Sequence, residues 1–445
     1  MLSNLRWARE NVTSSTSVSA KNLYKVFGRR PKDAVRKLQN GASRNEIGTQ
    51  ETAAVIDASF DVKPGEIFVV MGLSGSGKST LIRMLNGLLE PTSGSVTIAG
   101  TEIAGVPAAT LRRVRQQNVS MVFQHFALFP HRTVLDNAAY GLEVQGVAKA
   151  ERLERAQKIV KIVGLDGWQD KYPSQLSGGM QQRVGLARAL ATETDILLMD
   201  EAFSALDPLI RREMQEQLLE LQAELGKTII FITHDLNEAM FLGDRIAVMR
   251  DGRIVQIGTP EDILTDPAND YVAQFVQDVD RARVLTASSV MEPARAVVPL
   301  TAGPRGALRV MRDLQAGAAF VLGRDLTLLG VVRDSHVMRQ VKANDTDLAK
   351  IINQEHASVS PDAALVDLFE LAVESPLPIA VVDDNRRLLG VIPRVTLLAA
   401  LGNVPTNTSP MAVIEPVSII PDAELDTVLA QGEFAASIAG QQGDN

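Results

Sequence analysis

The 445-residue sequence contains no cysteine. This absence excludes a disulfide framework, a thiolate nucleophile and a metal site with cysteine ligands, and it fits a reducing compartment. The chain also has no apolar run near the roughly 20 residues that a membrane-spanning helix requires. Its apolar runs, TIIFIT at 228–233 and DILLMD at 195–200, have the length of single strands. We therefore expect any role at a membrane to depend on a partner.

An excess of positive charge is also missing, because the formal net charge is -8 at pH 7. A negative chain has no broad electrostatic attraction for nucleic acid or anionic lipid, so no nucleic-acid partner is predicted. The first 20 residues carry scattered charges and many Ser and Thr, without the apolar core of a signal peptide. Residues 1–20 are therefore predicted to form a mobile N-terminal arm, and the chain is predicted to stay in the cytoplasm.

Residues 21–275 show the alternation of short β-type runs and helical stretches that is typical of an α/β domain. The candidate strands are apolar, which favours parallel strands buried on both faces of a sheet. Within MRDGRIVQIG, the pair Asp251 and Gly252 predicts a tight hairpin turn, because these residues readily adopt left-handed conformations. The predicted strands are 67–71, 120–123, 196–199, 228–232 and 245–249.

The C-terminal part contains a repeat, which follows a charged linker at 276–286. The sequence LLGV occurs at 328–331 and again at 388–391. Each copy follows a candidate amphipathic helix and a β-type run, so residues 287–402 are predicted to form a βαββα module twice. One such module could hardly bury its own sheet face, whereas two can bury each other's. The tail 403–445 contains IIPDAELDTVLA, which is similar to VSPDAALVDLF in the second module and is either a partial third unit or packing.

The segment GLSGSGKST at 72–80 matches the phosphate-loop pattern, with an apolar strand before it and a helical stretch after it. Its glycines let successive backbone N–H groups converge on phosphate oxygens at the positive end of the helix. Lys78 adds a positive charge for the β- and γ-phosphates, the Ser79 hydroxyl suits Mg²⁺, and Thr80 suits a further phosphate contact. The alternative is a chance glycine-rich turn, which the flanking strand and helix disfavour.

The segment DILLMDEAFSALD contains the carboxylates that a hydrolytic site requires. Its apolar residues predict a buried strand that ends at Asp200 and Glu201, at the carboxyl edge where such sheets bind ligands. Asp200 is the candidate Mg²⁺ partner, through water, because this ion keeps part of its hydration shell. Glu201 is the candidate for orienting or deprotonating the attacking water. A solvated turn is the alternative for two adjacent carboxylates.

A second segment, SQLSGGMQQR at 174–183, also has the features of a phosphate site. Ser177 is a candidate N-cap, the amides of Gly178 and Gly179 are unshielded by side chains, and a helical apolar pattern follows. The start of a helix with bare amides attracts phosphate. The chain therefore has two candidate phosphate sites, which lie about a hundred residues apart in the sequence.

These segments, together with SALD at 204–207 and FITHD at 231–235, resemble the ATP-binding subunit of an ABC transporter across residues 21–275. The resemblance implies an α/β fold: a P-loop ABC-type nucleotide-binding domain with a helical subdomain at about 125–185. It also implies that two subunits meet head to tail, so that Ser177, Gly178 and Gly179 of one chain hold the γ-phosphate of the other chain's ATP.

The same resemblance assigns roles to further residues. It implies that Gln124 is the lid glutamine, which senses the γ-phosphate, contacts the metal and touches the membrane partner. It implies that His234 holds the γ-phosphate and that Asp207 links the two sites. A single histidine after a strand is more often structural, but within FITHD we favour the functional interpretation. For His125 and His131 we favour a place near the surface that faces the membrane partner, with no chemistry.

The aromatic residue that stacks on adenine is predicted by the similarity of LYKVFG to the aromatic loop of the family. The position of the following glycine points to Phe27, and Tyr24 is the alternative. An aromatic residue at this spacing can also be part of the core. The residues predicted to bind ATP are Phe27, Gly72, Ser74, Gly75, Gly77, Lys78, Ser79, Thr80, Ser177, Gly178, Gly179 and Asp207. The residues predicted to bind Mg²⁺ are Ser79, Gln124 and Asp200. The residues predicted to be catalytic are Glu201, His234 and Gln124.

An extra charged stretch at 28–52 and the C-terminal repeats narrow the resemblance to importers of glycine betaine and proline betaine. The repeats resemble a tandem pair of CBS (cystathionine-β-synthase) domains, which in relatives sense ionic strength or bind a nucleotide. A dimer-stabilising appendage is the alternative. This chain departs from the nucleotide-binding pattern, because the aspartate that commonly faces a ribose is missing. In the first copy, Arg333-Asp334 comes closest to this pattern. The second copy has Pro393-Arg394 instead and so has no aspartate there.

The resemblance implies an ATPase that drives osmoprotectant uptake from the cytoplasmic face of the inner membrane, as a peripheral subunit. The implied partners are a second copy of this chain, a membrane-spanning permease and an external solute-binding protein, and a nucleotide is a candidate ligand of the CBS pair. Two alternatives remain: an importer of another amine or amino acid, and an ATP-binding regulatory protein without transport. Glu201 and His234 disfavour the second, because a sensor alone needs no water-activating carboxylate.

Overall fold

A computed structural model describes residues 16–124, 127–204, 206–277 and 279–401. The chain divides into two compact units, with the boundary between Val279 and Asp280. The predictions for His125, for the first 15 residues of the arm and for the tail 403–445 fall outside the described residues.

The first unit contains ten strands and ten α-helices among its described residues. The strands are β1 (Val18–Phe27), β2 (Thr52–Val62), β3 (Ile67–Met71), β4 (Ser93–Ile98), β5 (Thr101–Glu102), β6 (Val119–Val122), β7 (Ile196–Asp200), β8 (Thr228–Thr233), β9 (Arg245–Arg250) and β10 (Arg253–Gly258). The helices are α1 (Pro31–Gln39), α2 (Lys78–Leu85), α3 (Ala108–Asn118), α4 (Val134–Val144), α5 (Lys149–Ile162), α6 (Gly178–Ala191), α7 (Pro208–Leu225), α8 (Leu236–Leu242), α9 (Pro260–Thr265) and α10 (Asp270–Phe275).

A six-stranded sheet with the order β10-β9-β3-β8-β7-β6 forms the centre of this unit. All neighbouring strands from β9 to β6 are parallel, and β10 pairs antiparallel with β9. Strands β3, β7 and β8 are buried along their whole length, as expected for parallel strands covered on both faces. The carboxyl ends of β3, β8 and β7 lie side by side, so the segments that follow these strands meet at one edge.

A second, antiparallel sheet has the order β2-β1-β4-β5 and includes Phe27 at the end of β1. The charged stretch at 28–52 contains α1, which turns a small apolar face towards this sheet. Its buried residues join Tyr24 and Val26 in a separate core cluster. The cluster is completed by Ala34, Val35, Leu38, Ile47, Ala53 and Ile56.

Helices α4, α5 and α6 pack against one another within and just beyond the segment 125–185. Their contacts are formed by small and branched side chains such as Ala138, Leu142, Ala156 and Val160, all fully buried. None of the helices that the structure describes combines the length and the apolar character needed to cross a bilayer.

The second unit contains the predicted βαββα module twice. Its strands are β11 (Val297–Pro299), β12 (Ala318–Leu322), β13 (Leu328–Arg333), β14 (Ser358–Val359), β15 (Ile379–Val382) and β16 (Leu388–Ile392), and its helices are α11 (Ala287–Val290), α12 (Gly303–Asp313), α13 (Asp334–Lys342), α14 (Leu368–Glu374) and α15 (Arg394–Leu401). The sheets have the orders β11-β12-β13 and β14-β15-β16, each with one parallel and one antiparallel pair.

The two LLGV segments occupy the same place in the two sheets. Gly330 pairs with Val321, and Gly390 pairs with Val381, and in both sheets the register then shifts by one residue. This shared irregularity confirms that the sequence repeat is a structural repeat. The fold class predicted from the sequence, an α/β nucleotide-binding domain followed by two βαββα modules, is confirmed.

Candidate functional site

The phosphate-loop segment connects β3 to α2 at the carboxyl edge of the six-stranded sheet. Two of its glycines permit close backbone contacts. A Cβ added to Gly72, whose φ is 150°, would lie 2.2 Å from the Met249 carbonyl oxygen. A Cβ added to Gly77, whose φ is 105°, would lie 2.1 Å from the Ala54 carbonyl oxygen. The loop is therefore enclosed between β9 and β2, and only glycine fits at these two positions.

The turn between β9 and β10 joins the loop to β2. The Gly252 N–H donates to the Ser76 carbonyl at 3.0 Å, and the Ile56 N–H donates to the Gly252 carbonyl at 2.7 Å. Segments that are distant in sequence thus fix the shape of the loop. The other predicted loop residues are exposed or half-buried at its rim: Ser74, Gly75 and Thr80.

Lys78 is buried at the start of α2, where 4% of the residue is exposed. Its ammonium donates to the carbonyls of Gly72 at 2.8 Å and Leu73 at 3.2 Å. Burial lowers the pKa of Lys78, and the carboxylates of Glu201 and Asp200 oppose this shift. An enclosed ammonium without a direct ion pair in the described residues is well placed to bind an anion that enters the loop.

Ser79 and Asp200 form a direct contact between α2 and the end of β7. The Ser79 hydroxyl donates to Asp200 Oδ1 at 3.1 Å. Burial raises the pKa of the Asp200 carboxyl, and the hydrogen bond from Ser79 opposes this shift. A hydroxyl and a carboxylate at this distance can share one small hard cation, which prefers oxygen ligands.

Glu201 lies at the centre of a second group of contacts. Gln124 Nε2 donates to Glu201 Oε2 at 3.1 Å, and His234 Nδ1 lies 3.3 Å from the same oxygen. The backbone of Glu201 is left-handed, with φ 46°, a conformation that costs a non-glycine residue roughly 1–2 kcal/mol. Its N–H donates to the Ile232 carbonyl at 3.0 Å, which holds this turn against β8.

Five predicted residues are thus linked in two neighbouring groups by side-chain contacts: Ser79 with Asp200, and Gln124 and His234 with Glu201. The chain continues directly from Asp200 to Glu201, so the two groups share one turn. Together with Lys78 they combine an anion site, a candidate cation site and a carboxylate that can accept a proton.

The SQLSGGMQQR segment forms a capped helix start away from these contacts. Ser177 is the N-cap of α6, and its hydroxyl accepts the Met180 N–H at 3.3 Å. Ser177 and Gly178 are exposed, and a Cβ added to Gly179 would lie 2.8 Å from Ile210 Cγ2 on α7. Among the described residues, no hydrogen bond joins this turn to the phosphate loop. Asp207 caps α7, and its carboxylate accepts the Ile210 N–H at 3.1 Å.

The aromatic candidates for adenine stacking lie in different environments. Phe27 is 43% exposed, with Lys25 Nζ 5.2 Å from its ring centroid, whereas Tyr24 is buried with 5% exposed. His131 is exposed and its ring lies edge-on to Phe129, with 6.0 Å between the ring centroids.

Two contacts around the segment after Gln124 were not predicted from the sequence. Arg188 of α6 donates to the Ala127 carbonyl at 2.6 Å, which ties α6 to this segment. Asn137 of α4 is fully buried; its amide oxygen accepts the Phe129 N–H, and its NH₂ group donates to carbonyls of the same turn. Such contacts depend on how helices pack, and Asn137 lies one turn after Thr133, which the structure shows to be the N-cap of α4.

Arg211 and Asp235 form another contact that the sequence analysis missed. The Arg211 guanidinium donates to Asp235 Oδ2 at 3.2 Å and to the Leu206 carbonyl at 3.1 Å. Asp235 directly follows His234, and Leu206 directly precedes Asp207. The only signal in the sequence was the placement of Arg211 one helical turn after Asp207.

Comparison with known proteins identifies relatives of this chain. A family model described as ABC transporter matches residues 55–204, and a CBS domain model matches residues 348–403. The glycine betaine transport ATP-binding protein OpuAA of Bacillus subtilis is 51% identical over 386 residues, covering 86% of this chain and 92% of OpuAA.

Two further relatives were compared. The glycine betaine/proline betaine transport system ATP-binding protein ProV of Salmonella typhimurium is 47% identical over 392 residues, covering 86% of this chain and 97% of ProV. The trimethylamine N-oxide transport system ATP-binding protein TmoW of Ruegeria pomeroyi is 51% identical over 274 residues, covering 61% of this chain and 81% of TmoW.

The fold, the phosphate loop and these matches define an ATP-binding subunit of an ABC transporter, an ATPase coupled to transport. The CBS family model matches the second βαββα module, and the first module has the same strand order. Within this class, the chain belongs to the family of glycine betaine transport ATP-binding proteins.

Proposed function

We propose that this chain hydrolyses ATP at sites shared between two copies of itself and thereby drives import of glycine betaine, proline betaine or a related osmoprotectant. The single observation that supports the hydrolytic part best is the contact of Gln124 and His234 with Glu201, one residue after Asp200. The solute is supported by the glycine betaine relatives, which match this chain across both of its units.

Each residue of the site has a chemical task in this proposal. Glu201 accepts a proton from the water that attacks the γ-phosphate, with Gln124 and His234 fixing its carboxylate. Lys78 and the loop amides bind the phosphate oxygens and stabilise the charge that moves onto the leaving group. The Phe27 ring, exposed at the end of β1, supplies a face for adenine.

A Mg²⁺ ion fits the oxygen atoms of Ser79 and Asp200, which already lie 3.1 Å apart. Gln124 would be a third contact through its amide oxygen. Bound there, the ion would supply positive charge to the phosphate oxygens. Within the described residues, no three acidic or histidine side chains cluster to hold a metal by themselves, which is consistent with an ion held mainly by water and phosphate.

The exposed turn at Ser177 is the part of the chain that we assign to the partner's nucleotide. It presents the first amides of a 14-residue helix, whose positive end attracts anions. Head-to-tail pairing of two copies would bring this turn of each chain over the phosphate loop of the other. We place the dimer at the cytoplasmic face of the inner membrane, bound to permease subunits that receive solute from an external binding protein.

For the second unit we propose a regulatory role, set by ionic strength or by a bound nucleotide. The second repeat is less suited to a nucleotide, because the guanidinium of Arg394 is engaged by the Ala372 and Val373 carbonyls at the end of α14. In the first repeat, Asp334 starts α13 and is exposed, so the position closest to the ribose-binding pattern remains accessible.

The trimethylamine N-oxide relative makes another methylated amine the second candidate solute. It is as similar as the glycine betaine relative, but over 61% rather than 86% of this chain. An ATP-binding subunit does not contact the solute. The residues of the ATPase unit therefore do not show which of these amines is transported.

The test is uptake by the complete transporter in proteoliposomes, with the wild-type chain and with Glu201→Gln. An amide cannot accept the proton, so hydrolysis and uptake of labelled glycine betaine should fall at least about 100-fold, the lower range for general-base catalysis. The variant should still bind ATP and Mg²⁺ and elute as a dimer in size-exclusion chromatography.

Two controls accompany this test. Glu224→Gln changes an exposed carboxylate on α7 and should leave hydrolysis and uptake unchanged. Unlabelled proline betaine and trimethylamine N-oxide, added as competitors, identify the solute. A Glu201→Gln protein that remains monomeric and turns over normally would contradict the hydrolytic role, and uptake that glycine betaine does not support would contradict the solute.

A further inference from the structure

The first turn of α7, residues 208–211, contacts two parts of the site that are far apart in sequence. On one side, Ile210 packs so closely on Gly179 that a Cβ on that glycine would lie 2.8 Å from Ile210 Cγ2. The carboxylate of Asp207 caps the same turn by accepting the Ile210 N–H. We call the turn formed by Ser177, Gly178 and Gly179 at the start of α6 the signature turn. A capped helical turn moves as one body, so a displacement of the signature turn is passed to α7 through this contact.

On its other side, the first turn of α7 is joined to the segment that contains His234. The guanidinium of Arg211 spans Asp235 Oδ2 at 3.2 Å and the Leu206 carbonyl at 3.1 Å, and its Nε is enclosed without a hydrogen-bond partner. A planar guanidinium can make these two contacts at once, and a lysine ammonium has no comparable geometry. Arg211 therefore joins the residue before Asp207 to the residue after His234.

Asp235 is itself held firmly. Its second oxygen, Oδ1, accepts the Glu238 N–H at 3.1 Å as the N-cap of α8. A second contact between the same helices joins Gln215 Nε2 to Glu238 Oε1 at 3.0 Å, with both residues buried. Arg211 and Gln215 lie one turn apart on α7, so α7 and the start of α8 are connected at two successive positions.

We propose that the first turn of α7 transmits the position of the signature turn to His234, with Arg211 as the positioning residue. This inference rests on the proposed function, in which the signature turn binds the partner's ATP while His234 serves the subunit's own ATP. Binding at one composite site then shifts α7 through Gly179 and Ile210, and Arg211 carries the shift to Asp235. His234 lies 3.3 Å from Glu201 Oε2, so the shift reaches the hydrolytic carboxylate.

The test compares Arg211→Lys and Asp235→Asn in the complete reconstituted transporter. Lysine keeps the charge but cannot make both contacts, and asparagine keeps the helix cap while losing the charged partner. We expect the KM for ATP to stay within about twofold and kcat to fall about fivefold or more, the lower end of typical coupling between sites. The Hill coefficient for ATP should fall from above one to one.

The double variant provides a further measurement. If Arg211 and Asp235 act as one link, combining the substitutions should reduce kcat no further than the more severe single substitution does. The matched control is Glu216→Gln on the same helix, which removes an exposed ion pair with Arg212 at 2.7 Å and should leave every parameter unchanged. The midpoint of thermal unfolding identifies a variant that has lost its fold. If Arg211→Lys does not fold, Asp235→Asn alone provides the test.

The outcomes separate this inference from the proposed function. A fall in kcat with an unchanged Hill coefficient, or no change at all, would overturn the link, as would a wild-type transporter with a Hill coefficient of one. If Ser177→Arg, measured in parallel, keeps cooperative hydrolysis, the assignment of the signature turn to the partner's ATP fails instead. Loss of cooperativity in Ser177→Arg but in neither Arg211→Lys nor Asp235→Asn leaves the proposed function intact and rejects the link.

Discussion

Phe27 and Tyr24 lie three residues apart on β1 and differ in what their rings can contact. The Tyr24 ring is enclosed by α1 and its neighbours in a core cluster, and burial is the main reason why the pKa of its phenol is raised. The Phe27 ring is 43% exposed at the end of the strand that precedes the phosphate-loop region. Of the two, only Phe27 offers a ring face to a ligand.

Phe27→Ala should weaken ATP binding without disturbing the phosphate site. Base stacking on an aromatic ring contributes about 1–3 kcal/mol, which corresponds to a rise in Kd of roughly 5- to 150-fold. Calorimetry with ATP measures this loss, and calorimetry with inorganic tripolyphosphate should show no change. Phe27→Trp should restore ATP affinity, because it again provides an aromatic face.

Tyr24→Phe is the matched control for this prediction. It removes only a hydroxyl from a buried ring and should leave ATP affinity unchanged. If Tyr24→Phe weakens ATP binding and Phe27→Ala does not, the adenine lies elsewhere. Equal losses of ATP and tripolyphosphate affinity in Phe27→Ala would indicate damage to the loop rather than lost stacking.

At the scale of elements, α6 combines a structural and a proposed binding role at its N-cap. Ser177 caps the helix and lies at the exposed turn that we assign to the partner's γ-phosphate. Ser177→Arg should leave ATP binding by the single chain intact and abolish cooperative hydrolysis, because bulk and charge would obstruct the dimer interface. ATPase rates over a range of ATP concentrations, with Kd measured separately, provide the readout.

The loss of the cap must be separated from the obstruction of the interface. Ser177→Ala removes the cap alone, at a cost of about 0.5–2 kcal/mol in stability, and should retain more hydrolysis than Ser177→Arg. Mixing Ser177→Arg chains with Lys78→Ala chains creates dimers in which one composite site keeps both its own Lys78 and the partner's Ser177. Normal cooperative activity of Ser177→Arg alone would reject the assignment.

The regular elements were predicted where the sequence pattern is local. Continuous apolar runs identified β3, β7 and β8, and Asp251-Gly252 marked the hairpin, where both residues have positive φ. The helix α1 was not predicted, because Ala34, Val35 and Leu38 are three apolar residues among five charged or polar ones and a proline. Their burial depends on a sheet face that the local sequence does not reveal.

The same distinction applies to the candidate site. Lys78, Asp200 and Glu201 occur in motifs whose position after a strand is readable from the sequence. The contact of Arg211 with Asp235 joins α7 to the segment after β8, and the packing of Ile210 on Gly179 joins α7 to α6. Each depends on the relative placement of separate elements, for which spacing in the sequence gives no measure.

At the scale of the whole molecule, the two repeats of the second unit present different surfaces. Exposed cations lie on α12 and α13 of the first repeat, namely Arg305, Arg309, Arg339 and Lys342. Exposed apolar side chains lie on α14 and α15 of the second, namely Val373, Val395 and Leu398. Contacts made by the cationic surface would weaken with salt, because the Debye length falls from about 10 Å at 0.1 M to about 3 Å at 1 M.

Truncation after Val279, the boundary between the two compact units, should leave an active ATPase whose transport no longer responds to salt. We propose that the second unit restrains transport until ionic strength rises and its charge contacts loosen. Uptake of glycine betaine by proteoliposomes, measured over a range of internal salt concentrations, should then be high and flat for the truncated chain. The full chain should show activation by salt.

A full-length variant distinguishes the effect of removing cations of the second unit from the effect of removing the whole unit. Arg309→Gln with Arg339→Gln should raise uptake at low salt and reduce the response to salt, without changing the KM for ATP. Val395→Ser on the second repeat is the control for a surface change and should retain the response. Full salt activation in the truncated transporter would place the sensor outside the second unit and favour a supporting role for the repeats.

The enclosure of the phosphate loop between β2 and the β9–β10 turn also has a consequence during synthesis of the chain. Ala54 precedes the loop, but Gly252 is translated about 175 residues after Gly77, which takes roughly 9–35 s at about 5–20 residues per second. During this interval the nascent loop lacks the contacts from Met249 and Gly252 that help to fix its shape. We therefore expect the nascent chain to bind nucleotide only after the hairpin, and not just the loop, has emerged from the ribosome.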